Sequence, residues 1–196
     1  MMPFFSTGFE TILLASIILL WILSEIIVGG IIPYLRNRGV AIKRKDNGSA
    51  IGLRVSLYVS ISIAFLLAGY NIAMLPNWLF YPGVFLMIVG ILVRQWAIFI
   101  LGRYFTLTIG VQKNQKVVDY GLYRFIRHPS YLGLFIIVIG IGVALQSWGG
   151  ILVIVVIFGL ALGYRIRVEE KFLVSELGND YIQYMKRTKR IIPFVL

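Results

Sequence analysis

RHPSYLGLFIIVIGIGVALQ, residues 127–146, passes from a polar knot to an apolar run without a break. Arg127, His128, Pro129, Ser130 and Tyr131 make the knot, and almost every later position up to Gln146 is apolar or small. Proline suits the first turn of a helix, where its missing N–H is no loss. A helix starting near His128 that stays apolar for roughly 17 to 25 residues is a membrane span. That reading sets the fold class as all-α, a multi-pass transmembrane helical bundle.

The rest of the 196-residue chain agrees with it. Hydrophobic residues make up 59 % and charged residues 14 %, with a mean hydropathy of +0.89. Further apolar runs at 9–34, 51–75, 79–101 and 149–174 give five expected spans in a single membrane domain, 1–196. The first run has no preceding Lys or Arg and is too long for a signal-peptide core, so it reads as a retained span. Eighteen of the nineteen Lys and Arg residues fall in three blocks, 36–54, 103–127 and 165–190; only Arg94 stands apart. The connections around Asn77 and Ser147 carry no charge. This alternation places the N-terminus outside and the C-terminus in the cytosol. The net charge of +11 is therefore a topology signal first and an attraction to anionic lipid second. Nucleic-acid binding is excluded because the basic segments lack interleaved stacking platforms. With no cysteine and one histidine, no metal site is expected.

Between the spans, 41–49 (AIKRKDNGS) reads as a solvated, turn-rich linker. The connection 102–128 keeps apolar residues among polar ones, and a long ordered loop of that kind is often functional. At its end, the open N–H groups of Ser130 and Tyr131, with His128 and Arg127, form either an anion site or an interfacial anchor. No breaker follows Arg165 until Gly178, so the fifth helix continues beyond the membrane with Arg165 and Glu169 one turn apart. That pair is a functional face or a surface ion pair. A short helix, 179–187, follows; Asn179 is its expected cap, and Tyr181, Tyr184 and Met185 share one side. Gly133, Gly140 and Ala144, with Gly159 and Gly163, suggest close packing of the fourth span against the fifth. Arg94 lies mid-span and needs a partner; Glu25 is the acidic residue at comparable depth, and a structural pair or a substrate role is open to it.

GLYRFIRHPSYLG, RIRVEE, LGNDYIQYMKR and IIPF together resemble the isoprenylcysteine carboxyl methyltransferase (ICMT) family, over about 111–194. The resemblance implies an integral membrane methyltransferase with an S-adenosylmethionine site in the loop 102–128, the fourth span and the C-terminal helices. Carried over by motif, the cofactor-binding positions are Gln112, Gln115, Lys116, Val117, Val118, Tyr123, His128, Pro129, Ser130 and Tyr131. Arg165 and Glu169 are the implied catalytic pair. Gln115-Lys116 precedes Val117-Val118 where family members often have histidine.

The implied reaction is carboxyl methylation of a lipidated, isoprenylcysteine-like or other hydrophobic acid at the cytosolic face. A carboxylate is ionised near pH 7, so methyl transfer asks for placement and a dry site rather than a strong base. Arg165 would hold the acid by paired hydrogen bonds, and Glu169 would orient Arg165. Membrane lipids are the other expected partner. Related sterol-type reductases share parts of the pattern, so an NADPH-dependent membrane reductase is the alternative; a small transporter or lipid-binding protein is a third reading.

Overall fold

The computed structural model describes residues 8–191; the terminal Ile192-Pro193-Phe194 of the quoted motif lies outside them. Helix α1 (Gly8–Arg36) is continuous but widens into a π-turn over Glu25–Ile31. Helices α2 (Ser49–Gly69) and α3 (Phe80–Leu101) follow, then α4 (Pro129–Ala144), α5 (Trp148–Leu177) and α6 (Asn179–Arg187). Four helices are long and apolar enough to cross a membrane: α1, α2, the segment Asn77–Tyr104 that contains α3, and α5. Helix α4 is apolar but has 16 residues, so it falls short of the length that the other four of the five expected spans reach.

Short α4 is a core element. Ile137, Val138, Ile141 and Ala144 are buried on it, against Phe80, Val84, Met87 and Ile91 of α3. Glycine makes that approach close. A Cβ on Gly83 would sit 2.2 Å from the Ala144 backbone nitrogen, and one on Gly90 would sit 2.7 Å from that of Ile137. From the other side, a Cβ on Gly133 would lie 2.6 Å from the Arg94 nitrogen. Such small residues let backbones meet and gather dispersion contacts where water-driven association is absent. The partner differs from expectation. Gly133, Gly140 and Ala144 face α3, whereas a Cβ on Gly159 would meet only the Phe135 ring at 3.8 Å and one on Gly163 would meet nothing within 4 Å.

Helix α2 stops at Gly69, before the expected end at 75, because the next residues take other partners. Leu75 N–H donates to Gln146 O (2.6 Å) and Trp148 N–H to Ala73 O (2.9 Å), so the chain runs extended beside the α4–α5 turn. Buried backbone groups must be paired, and this pairing ends the helix.

At the opposite, basic end, strands β1 (Ile42–Arg44) and β2 (Gly110–Gln112) pair antiparallel with Ile42 opposite Gln112. Ile109, Val111 and Phe172 form a small apolar cluster over this ribbon with Val168, Leu173 and Leu177. Lys43 pairs with Glu176 at 2.8 Å and Arg187 with Asp119 at 2.6 Å. The three basic blocks of sequence thus gather at one end of the bundle. Gly178, with φ +58°, ends α5 and caps α6; Asn179 is the first helical residue rather than the cap. After α6 the chain returns to the knot: Arg127 N–H donates to Lys189 O (2.7 Å) and His128 N–H to Arg190 O (3.0 Å).

Candidate functional site

The return of α5 beside the start of α4 brings the two sequence constellations into contact. The Tyr131 hydroxyl donates to Glu169 Oε2 at 2.6 Å and accepts from Arg165 Nε at 3.1 Å. Glu169 therefore acts on Arg165 through Tyr131, and the direct orientation expected from their one-turn spacing is replaced by a three-membered chain.

Arg165 is buried, and its donors are nearly all used. Nη1 donates to the Asp46 carboxylate and to Ser49 Oγ (2.6 Å), and Nη2 donates to Leu107 O (3.3 Å). With Nε on Tyr131, four of the five guanidinium hydrogens are committed. The paired grip on an acid expected of Arg165 is reduced to one free Nη2 hydrogen. Asp46 comes from the linker read as solvated. Burial pushes its carboxyl up, but the Ala50 N–H, then the Arg165 guanidinium, outweigh burial and hold it below the usual carboxylate range.

Beside this chain lies a buried ionic cluster. Glu170 takes Arg127 Nε on Oε1 (2.7 Å) and Arg190 Nε on Oε2 (2.9 Å). Arg127 also donates to Met185 O (3.2 Å) and to Thr188 O. So Arg127 is spent on tying the C-terminal segment down and adds no open charge to an anion site. His128 is buried and stacks on Tyr131 with centroids 5.6 Å apart. Its Nε2 stands 3.4 Å from Glu170 Oε1 and has no hydrogen-bond partner among the described residues. Of the two N–H groups expected to be open at the α4 start, Tyr131 N–H is taken by His128 O (3.1 Å). Arg94 reaches the same place, donating from Nη1 to Ser130 O and Oγ (both 3.0 Å) while pairing Glu25 through Nη2 at 2.7 Å.

Arg94, Arg127, Arg165, Glu169 and Tyr131 border a cavity of about 970 Å³; Asp46, Ser49 and Glu170 stand behind its wall. Toward the basic end its wall includes Gln115, Lys116, Val117, Val118, Tyr123 and Tyr181; toward the bundle it includes Ile18, Ile22, Leu57, Ile61 and Phe65. Arg165, Glu169, His128, Ser130 and Tyr131 line it where the two parts meet. Of the ten carried-over cofactor positions, Gln112 and Pro129 lie outside the wall. The Gln112 amide instead donates to Asn37 Oδ1 (2.9 Å) and Arg103 O (2.6 Å), fastening the loop to the end of α1. Tyr123 O accepts the Tyr184 hydroxyl at 2.7 Å, and burial, then the Glu169 charge, pushes the Tyr123 phenol up, so it stays neutral. Among the described residues no group of three or more His, Cys, Asp or Glu could hold a metal.

Sequence reasoning missed Asp46, Ser49 and Glu170. The string Asp46-Asn47-Gly48-Ser49 carried a usable signal, an acid and a hydroxyl around a tight turn just before an apolar run.

Comparison with known proteins meets the resemblance read from the motifs. Residues 83–175 match the isoprenylcysteine carboxyl methyltransferase (ICMT) family. Protein-S-isoprenylcysteine O-methyltransferase A of Arabidopsis thaliana is 33 % identical over 120 residues, which are 60 % of this chain and 61 % of that protein. Protein-S-isoprenylcysteine O-methyltransferase of Saccharomyces cerevisiae is 32 % identical over 115 residues, 58 % of this chain and 48 % of that one. A solved structure of the eukaryotic intramembrane Ras methyltransferase ICMT superposes with a TM-score of 0.57 at 28 % identity, covering 73 % of this chain and 51 % of that one. This chain spans about 61 % of the length of the plant relatives.

Proposed function

We propose that this chain is an S-adenosylmethionine-dependent carboxyl O-methyltransferase of a membrane-borne, isoprenylcysteine-like acid, with its site open to the cytosol. One observation carries the reading: the Arg165–Tyr131–Glu169 chain stands at the junction of a polar, loop-lined chamber and an apolar cleft. The named relatives are methyltransferases of prenylcysteine, which agrees with it. They give no support to the reductase alternative.

The chamber suits the methyl donor. Val117, Val118 and Leu173 offer apolar faces for a planar base, while the second oxygen of Glu169 suits the ammonium end of an amino acid. Bound there, the donor would supply an electrophilic methyl group on a sulfonium. Arg165 holds the acceptor carboxylate, which is already ionised and needs no base. Tyr131 keeps Arg165 in register and keeps Glu169 off its charge. The cleft between α1 and α2 takes the hydrocarbon tail from the bilayer; the tail is already out of water there, so its hold rests on dispersion contacts with Ile18, Ile22, Leu57, Ile61 and Phe65. Burial of the whole junction excludes water and fixes the reactants near attack distance. The basic end holds all three Lys/Arg blocks, so the positive-inside rule turns it to the cytosol.

Methyl transfer to a farnesylated cysteine analogue, measured against the same analogue with its carboxyl amidated, tests the proposal. Labelled methyl should appear on the acid and not on the amide. Equal labelling of both, or of neither, overturns it.

A further inference from the structure

The committed hydrogens of Arg165 have a chemical meaning that rests on the methyltransferase reading. A guanidinium with two free parallel N–H groups chelates both oxygens of a carboxylate. Chelation is a poor ground state for a nucleophile, since it draws charge from both oxygens even though each keeps a lone pair. Here Asp46 and Ser49 occupy Nη1, Tyr131 occupies Nε, and Leu107 O takes one hydrogen of Nη2. One N–H is left.

We propose that Asp46, backed by Ser49, is a positioning residue that acts through Arg165 to make it a one-point holder of the acceptor carboxylate. One acceptor oxygen takes the remaining Nη2 hydrogen. The other keeps its lone pairs and attacks the methyl carbon; the new O–C bond forms as the S–C bond breaks, the electron pair stays on sulfur, and no proton moves. Asp46 also offsets the Arg165 charge, so the acid is held loosely enough to react.

The chain holds Asp46 firmly in place. Strand β1 is paired to β2 just before it, and Lys45 N–H donates to Ile109 O at 3.3 Å. Asn47 and Gly48, at φ +47° and +74°, turn the chain back, a conformation these two residue types adopt readily. Ser49 N–H donates to Asp46 O (2.9 Å) and Ala50 N–H to Asp46 Oδ2 (3.0 Å), so the same carboxylate that faces Arg165 caps α2. Asp46 and Ser49 lie outside the family-matched segment 83–175 and Arg165 inside it, so this contact joins the N-terminal part of the chain to that segment.

The test is Asp46→Asn, which keeps an oxygen for the Ala50 N–H while removing the charge, assayed as full-length protein in lipid with the farnesylated acid. Expected are a kcat lower by about tenfold, an acceptor KM unchanged or lower, and a methyl-donor KM within about twofold of wild type, the pattern of an over-stabilised ground state. A kcat within about twofold of wild type, or an acceptor KM that rises with the fall in rate, overturns it. Should Asp46→Asn fold poorly, Ser49→Ala serves: kcat about threefold lower at unchanged KM supports the proposal, and no change overturns it. Wild-type protein that leaves the acid unmethylated overturns the methyltransferase reading and this proposal together. Wild-type activity with an indifferent Asp46→Asn removes this proposal alone.

Discussion

The α3–α4 seam and the α1–α2 cleft are made from the same apolar alphabet and pack in opposite ways. At the seam, Gly83, Gly90, Gly133 and Gly140 remove side chains where the backbones cross, and no room is left for even a Cβ. Across the cleft, Ile18 and Ile22 face Leu57, Ile61 and Phe65 with cavity between them. Hydrophobicity does not draw helices together in lipid; shape does. Small residues close an interface, and branched residues with nothing interleaved leave a slot that a chain-like ligand can fill. Arg94 spans the two regions, rising from the seam at Gly133 to meet Glu25 at the cleft.

Cutting that tie should have the largest effect. Arg94→Met leaves the Glu25 carboxylate without its partner and should cost about 3–5 kcal/mol, read by thermal unfolding in detergent; adding Glu25→Leu should restore most of it. Gly83→Ala attacks the seam itself. A Cβ 2.2 Å from a backbone nitrogen cannot be accommodated by a rotamer change, and a loss of about 2–3 kcal/mol is expected. The cleft should answer differently. Leu57→Trp ought to leave stability within about 1 kcal/mol while lowering kcat/KM about tenfold for a farnesyl acceptor and little for a short-chain acid.

Acidity sharpens the contrast at the junction. The folded carboxyl of Asp46 lies below its ordinary value of 3.8, so its stabilising contact is complete above that pH and is lost as pH falls through the folded value. Wild type and Asp46→Asn should therefore differ across pH 5–8 with a constant ratio of kcat, and converge only as pH falls below 3.8, through the folded value. The smallest effect belongs to Gly163→Ala: with nothing within 4 Å of the added Cβ, helix propensity alone acts, and stability should rise by about 0.5–1 kcal/mol.

The two regions also differ in how much of them could be read from the sequence. Apolar runs are legible because each helix facing lipid must be apolar along its length. The glycines announced a close interface, but spacing on α4 says only which face is narrow, and Gly159 and Gly163 on α5 offered a false partner. The matching glycines, Gly83 and Gly90, sit in α3 at the same seven-residue separation as Gly133 and Gly140. At the site, Tyr131 and Arg165 could be brought together from the α4–α5 hairpin alone. Asp46 could not, since its place depends on a three-residue ribbon between strands some seventy positions apart, too short to leave a periodic signal. Gln112 was named from the motif alone, and the motif gives no sign that its amide fastens the loop to Asn37 and Arg103.

Helix α4 has one more consequence. Sixteen residues rise about 24 Å, against a hydrocarbon layer of about 30 Å. Its two ends cannot both reach the headgroups, and both ends are sheltered by protein: Gln146 and Ser147 are 3 % and 0 % exposed, His128 and Ser130 5 % and 8 %. The bilayer must dimple toward such an element or leave its polar tip recessed. If the proposed methyl transfer holds, a greasy acid would be esterified without being lifted from its leaflet, and turnover would rise in thin lipid and fall in thick, sterol-rich lipid.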